Sequence, residues 1–311
     1  MTILYAGSGL DSLLPSDATV GESITNGDID GSFVRSGTSV SSSGTATATG
    51  WTDVQEVWVH LALYKSIVSN SDIFKLQNGG VDVFKLTRES SVLRTYYLSG
   101  LATWTQIGSD VAMTAGMLHH LDIRYKTGAS GAVELYIDQT EKFATTGSYT
   151  YATDIDNIVF PASNVVSGIA VATENTIGWR VVQGYVSGTG SDTAWTGDYT
   201  GVDEATLSDV DFINSTAADQ VETFTFTPVA ALTGYTVRGV CVSARAKRDA
   251  SGPQSLQLAL RSSGTNYFSS SKTLGLGYTA VQNIWETNPA TSADWLSSQI
   301  AALQVGVKSI A

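Results

Sequence analysis

Chemistry in this chain would have to come from a short set of side chains. The histidines are His60, His119 and His120, and no pair has the His-x-x-x-His spacing that puts two metal ligands on one helix face. Adjacent His119 and His120 point to opposite faces if they lie on a strand, so one pocket receives at most one of them. Glu134 and Asp138 fall on the same face of one strand-like stretch, the placement a glycoside-cleaving acid pair needs. Their spacing along a strand is nevertheless ~13 Å at about 3.3 Å per residue, wider than either mechanism uses. Two runs, Gly27–Gly31 (Gly-Asp-Ile-Asp-Gly) and Asp154-Ile155-Asp156-Asn157, alternate carboxylates as calcium loops do. Neither continues into the further oxygen ligands of a 12-residue loop, so turn formation by Asp and Asn explains them, with a structural Ca²⁺ completed from another loop as the alternative.

Cys241 sits inside Val240-Cys241-Val242 with no histidine near it in sequence, which reads as a small buried hydrophobe rather than a nucleophile. One cysteine excludes an intrachain disulfide framework. No Gly-x-Ser-x-Gly elbow, phosphate-cradling Gly-x-x-x-x-Gly-Lys loop or dinucleotide fingerprint in a strand-turn-helix context occurs. The residues suggest no catalytic group, no metal ligand and no cofactor. What remains are aromatics in or beside loops, Trp104, Tyr149, Tyr151, Trp195 and Tyr199, whose flat faces stack on sugar rings and serve equally well in packing. Trp285, Trp295 and Tyr278 near the C-terminal proline loop are expected to be exposed interface anchors.

The elements that position these residues are strands. Charged residues are 15% of the 311 positions while glycine supplies 30, a profile of short strands and tight turns. Leu121 to Lys126 alternates apolar and charged residues, Val133 to Asp138 repeats the pattern, and Thr127–Gly131 turns between them. Val57, Val59, Leu61 and Leu63 form another inward row, with Trp58, His60, Ala62 and Tyr64 on the reverse face. Further strands are expected at Ile73–Leu76, Val81–Leu86, Val92–Leu98, Ile158–Phe160, Gly168–Ala172 and Trp179–Val186. A second series comprises Val221–Thr227, Tyr235–Ala244, Ser255–Arg261 and Val305–Ile310.

Gly188 to Asp203, rich in Gly, Thr and Asp, is expected to separate two domains, 1–190 and 191–311. One helix is expected from Asp294 to Leu303, with Leu296, Ile300 and Leu303 on one face and Thr291, Ser292 or Asp294 as its cap. The fold class that follows is all-β, two β-sandwich, jelly-roll-like domains with one short C-terminal helix.

Seventeen basic against 29 acidic residues give a net charge of -12, which opposes binding to nucleic acid or anionic lipid. The basic run Arg238, Arg245, Lys247 and Arg248 reads as a solvated sheet end. No apolar stretch approaches the ~20 residues of a membrane span, and Met1-Thr2-Ile3-Leu4 opens no basic-then-apolar leader pattern.

Met117–Thr145 resembles the central hairpin of concanavalin A-like, laminin-G-like jelly rolls, whose second strand often ends in Tyr-x-Asp-Gly. Here Tyr136-Ile137-Asp138 agrees and Gln139 stands in place of the glycine. Thr176–Val181, Ala194–Tyr199, Val202-Asp203-Glu204 and Thr287–Trp295, with the closing Val305-Gly306-Val307, resemble tailed-bacteriophage virion proteins that share an Asn-Pro-(small)-Thr-x-x-x-Trp segment. These resemblances imply a non-enzymatic structural component of the virion, a head decoration or tail appendage, whose partners are other virion proteins and further copies of itself. The alternatives are a tail-fibre adhesin that binds host surface glycan and a polysaccharide depolymerase. Trp195, Tyr199, Trp285 and Trp295 are the expected partner or glycan contacts.

Overall fold

The computed structural model describes residues 2–9, 20–24, 37–40, 45–48, 51–64, 70–113, 118–161, 165–204, 208–227, 232 and 235–311. The Gly27–Gly31 run lies outside the described residues. Cα packing divides the chain into two compact units, Met1–Val181 and Val182–Ala311.

The first unit is a β-sandwich. Its strands are β1 (Ile3–Gly9), β2 (Val20–Ile24), β3 (Gly37–Val40), β4 (Thr45–Ala48), β5 (Glu56–Tyr64), β6 (Ser71–Asn78) and β7 (Val81–Glu89). They continue with β8 (Val92–Gly100), β9 (Thr103–Ala112), β10 (Leu118–Lys126), β11 (Gly128–Ile137), β12 (Thr140–Tyr149), β13 (Asn157–Pro161) and β14 (Val165–Ala172). One sheet runs β12-β11-β10-β5-β14-β3-β2, with β1 also paired to β14, and the other runs β4-β13-β6-β7-β8-β9. The strand pairs in both sheets are antiparallel.

Alternation decides which side chains fill the space between the sheets. Val57, Val59, Leu61 and Leu63 of β5 and Leu121, Ile123 and Tyr125 of β10 enter the core with Phe74, Leu76, Phe84 and Leu86 from the facing sheet. Aromatic contacts thicken that core, with the Phe84 and Tyr125 rings 4.5 Å apart between centroids and Phe74 6.1 Å from Phe84.

The β11–β12 hairpin has a two-residue turn at Asp138 and Gln139, with φ of 50° and 64°. Such a turn needs left-handed backbone at both positions and favours Asp-Gly, whereas an L side chain there is strained. Gln139→Gly should therefore raise the stability of the first unit by about 0.5–1 kcal/mol, the relieved strain less the extra entropy that glycine loses on folding. Urea denaturation of the two proteins side by side checks this, and a destabilised variant would show that the Gln139 side chain matters more than its backbone.

The second unit contains β15 (Val186–Thr193), β16 (Val221–Phe226), β17 (Val240–Ala246), β18 (Ser255–Ser262), β19 (Thr265–Phe268), β20 (Lys272–Thr273) and β21 (Thr279–Trp285). β22 (Thr287–Asn288), β23 (Ala293–Asp294), α1 (Ser297–Ile300) and β24 (Gln304–Ile310) complete it. A sheet ordered β15-β16-β24-β18-β19, with β20 also on β18, packs against the two-stranded sheet β17-β21. Leu256, Leu258, Leu260, Val305 and Val307 from the larger sheet meet Val240, Val242, Ala244, Val281 and Trp285 from the smaller.

Three expectations are corrected here. Residues 179–185 form no strand: Trp179 N–H closes a turn on Thr176 O at 2.8 Å, and the strand begins at Val186 instead. Part of the stretch expected as a linker is thus β15, an edge strand of alternating Gly, Ser and Thr that pairs with β16. Its glycines permit the close approach, since a Cβ at Gly190 would stand 2.5 Å from the Thr223 backbone. Gly306 on the other side of β16 is held to glycine in the same way, because a Cβ there would lie 2.0 Å from Glu222 O. The helix is only Ser297–Ile300. Leu296 is exposed while Ile300 and Leu303 are buried, and the Gln299 amide oxygen, not an upstream Ser, Thr or Asp, accepts the Leu296 N–H at 3.0 Å.

Candidate functional site

The outward face of the larger sheet in the first unit carries the polar side chains that alternation expels from the core. Across β5, β10 and β11 the register sets His60, Asp122 and Tyr136 in one row and Trp58, Arg124 and Glu134 in the next. Arg124 joins two carboxylates, with Nε donating to Glu56 Oε1 at 2.8 Å and Nη1 to Glu134 Oε1 at 2.5 Å. Those partners, Glu56 first, hold its pKa above the ordinary arginine value. Its guanidinium lies 5.9 Å from the centroid of the Trp58 ring, which is itself buried and supports it from below. The Tyr136 hydroxyl stands 3.1 Å from Glu134 Oε2 and 3.2 Å from Glu141 Oε2. Burial, followed by these carboxylates, pushes the Tyr136 phenol up to about 12.

The result is a line, Glu56, Arg124, Glu134, Tyr136 and Glu141, crossing four neighbouring strands. At about 4.8 Å per strand it spans roughly 14 Å. Arg124 and Glu134 are partly exposed, with side-chain exposures of 25% and 18%.

Beside this line lies a buried polar group. Asp122, with no solvent exposure, accepts on Oδ1 from His60 Nδ1 at 2.9 Å and from Thr176 Oγ1 at 2.8 Å. Its second oxygen, Oδ2, has no hydrogen-bond partner among the described residues. His60 stacks on His120 with centroids 5.5 Å apart. A carboxylate bonded to the Nδ1 side of an imidazole is the arrangement that orients a general base. Thr176 closes over this pair, and His60 is 1% exposed. His119 faces the other way, as two adjacent strand residues must, and its Nδ1 meets Asp138 Oδ2 at 2.7 Å. Asp138 is thereby turned to the hairpin end, away from any joint role with Glu134.

The four aromatics expected as contacts are differently placed. Trp295 is 2% exposed in the core of the second unit, where its indole N–H donates to Trp285 O at 2.7 Å. Trp285 and Trp195 are half-buried against the same core, so the expected exposure of Trp285 and Trp295 is corrected: the core claims the Trp295 ring wholly and the Trp285 ring in part. Trp195 also donates its indole N–H to Gln220 O at 3.1 Å, and Tyr199 begins a short 3-10 turn capped by Asp198. Tyr278 is covered by cations, with Lys247 Nζ 4.5 Å and the Arg245 guanidinium 5.6 Å from its centroid. In the first unit Tyr149 is buried, Trp104 lies under Lys85 Nζ at 4.9 Å, and Tyr151 is exposed.

Within the basic run Arg245 is neutralised locally. Arg245 makes two bonds to Asp209, at 2.7 and 3.0 Å, which hold that carboxyl below the usual range. Burial pushes the Cys241 thiol up to about 12, so the thiolate is disfavoured. Asp154 and Asp156 serve turns: Asp156 Oδ2 accepts the Gly79 N–H at 2.8 Å, and Asp154 Oδ2 accepts from Thr153 Oγ1 at 2.8 Å. Among the described residues no group of three or more His, Cys, Asp or Glu is arranged to hold a metal ion.

Sequence reasoning missed this face because its residues come from separate strands. The available signal was the polar reverse side of two strongly alternating stretches, Trp58 and His60 on one and Asp122 and Arg124 on the other.

No family model and no curated protein matches the chain. Solved structures do match. An endo-β-1,4-glucuronan lyase from the fungus Trichoderma reesei is 12% identical over 56% of this chain and 96% of its own, with a TM-score of 0.41. The Caenorhabditis elegans galectin LEC-6 is 11% identical over 41% of this chain and 89% of its own, with a TM-score of 0.33. The alginate lyase Aly36B, solved as a mutant with an alginate tetrasaccharide, is 13% identical over 42% of this chain and 74% of its own, with a TM-score of 0.32.

The expectation of a non-enzymatic chain is corrected, because its ground, a search for acid pairs along single strands, overlooks groups that strand pairing brings together, as Arg124 gathers Glu56 and Glu134. What these structures share with the chain is the all-β, jelly-roll-like sandwich fold.

Proposed function

We propose that the first unit binds glycan chains across the outward face of its larger sheet. The observation that carries this reading is the line from Glu56 through Arg124, Glu134 and Tyr136 to Glu141, partly exposed and fixed by its own hydrogen bonds. Planar charged groups and a phenol, held rigidly on strands, suit sugar hydroxyls, which both donate and accept. The galectin and lyase likenesses are compatible with it. On the virion-protein resemblance alone, we assign the module to a phage particle, where other virion proteins and further copies of the chain are its neighbours.

A glycan array probed with the full chain tests the binding, followed by titration calorimetry of the best ligand. Arg124→Ala should weaken that ligand by about 100-fold, because it removes a donor and leaves Glu56 and Glu134 repelling each other. Silence across a broad array, or unchanged affinity in a folded Arg124→Ala protein, defeats the assignment. Electron microscopy of the purified particle tests the location, and absence of the chain from it would refute a virion role.

A further inference from the structure

We infer that the second unit pairs with a second copy of itself through a patch built from the segment 208–214 and the stretch 274–278 that leads into β21. This gives a surface to the further copies proposed above as neighbours. It does not depend on glycan binding, so the two readings fail in different experiments.

The centre of the patch is apolar. Val210, Phe212 and Leu276 are 82%, 57% and 63% exposed. Hydrogen bonds hold the segment in place: Arg245 grips Asp209 at 2.7 and 3.0 Å, and Ser208 Oγ accepts the Val210 and Asp211 N–H groups at 3.4 and 3.3 Å. At its other end Asn214 exchanges backbone bonds of 2.8 and 3.0 Å with Thr196. The same Arg245 lies 5.6 Å from the Tyr278 centroid, and the Arg248 N–H donates to Gly275 O at 2.9 Å, which brings Leu276 to this edge. A segment pinned at both ends keeps its apolar side chains in solvent, and exposed apolar side chains gathered in one place mark a surface that meets a partner. Because the segment is already ordered, association loses little loop entropy.

The rim decides which partner. It carries two cations, Lys247 and Arg248, and two anions, Asp211 and Asp249. Lys247 is exposed over the Tyr278 ring, and Arg248 donates to the carbonyls of Leu274 and Asp249, at 2.9 and 3.3 Å; neither is met by a carboxylate among the described residues. Asp211 and Asp249 are exposed and form no ion pair among the described residues. A partner of one sign would satisfy half of this rim and be repelled by the other half. A second copy, turned about a two-fold axis, brings the cations of each patch to the anions of the other and joins the apolar centres.

Sedimentation velocity of the full chain from about 1 to about 100 μM should show a concentration-dependent shift from one chain to two, as for a pair of micromolar affinity. Val210→Glu with Leu276→Glu, both at exposed positions, should weaken the pair at least about 100-fold, since the contact would then bury unpaired charge. Lys247→Glu makes the rim net acidic and Asp211→Lys makes it net basic, so each variant alone should stay monomeric at about 100 μM. Mixed in equal amounts, the two should form a heterodimer as tight as the native pair. Circular dichroism checks that each variant is folded. A native chain that is monomeric at about 100 μM overturns the inference. A dimer that survives Val210→Glu with Leu276→Glu also overturns it, because the copies would then meet elsewhere. So does a mixture of the two rim variants that stays monomeric, because the rims would not be complementary.

Discussion

Asp122→Ala should destabilise the first unit by about 2–6 kcal/mol, the cost of leaving two buried donors without their acceptor at about 1–3 kcal/mol each. His60 Nδ1 and Thr176 Oγ1 would both lose their acceptor in a region without solvent. Asp122→Asn separates shape from charge, since its amide oxygen still accepts from both groups and its nitrogen takes the place of the partnerless Oδ2. Denaturant unfolding followed by circular dichroism should find the Asn variant at least as stable as the native protein, with the Ala variant far below it. A loss under about 1 kcal/mol in Asp122→Ala would mean that the carboxylate is coupled to the fold no more than an ordinary surface group. An Asn variant that is stable but binds glycan poorly would show that the buried charge serves the face and not the fold.

Phe84→Ala should cost about 3–5 kcal/mol, from lost apolar transfer and from a cavity that the two sheets cannot close. Phe84 is fully buried and touches Phe74 and Tyr125 with aromatic geometry on both sides. The second unit has a separate core built on Leu258, Leu260 and Trp295. Intrinsic fluorescence, which reports the seven tryptophans of both units, should therefore resolve two transitions, the one from the second unit keeping its midpoint while the one from the first moves to lower denaturant. Coincident, equally shifted transitions would show that the units unfold as one.

Residue order alone determined the strands whose two faces differ in polarity. Leu121 to Lys126 and Val133 to Ile137 lie in β10 and β11 in the expected hairpin, and Leu256, Leu258 and Leu260 point into the second core as their spacing requires. Alternation is a local property, so each such stretch announces its own inward face. It also announced an all-β chain, because no long stretch carries helical periodicity.

The polar edge strand β15 was invisible to the same reasoning. Its Gly, Ser and Thr have no apolar side to count, and only pairing with β16 makes them a strand. The fate of Trp285 and Trp295 was equally unreadable, since a tryptophan beside a loop is buried or exposed according to what packs against it.

Tertiary structure alone decided the face proposed to bind glycan. Glu56, Asp122, Glu134 and Glu141 are distant or merely scattered in the chain, and a strand spaces its own acids too widely to cooperate. Antiparallel pairing sets neighbouring strands about 4.8 Å apart, and at that separation Arg124 reaches two carboxylates from two different strands at once. Local spacing prescribes which way a side chain points; register between strands prescribes what it meets.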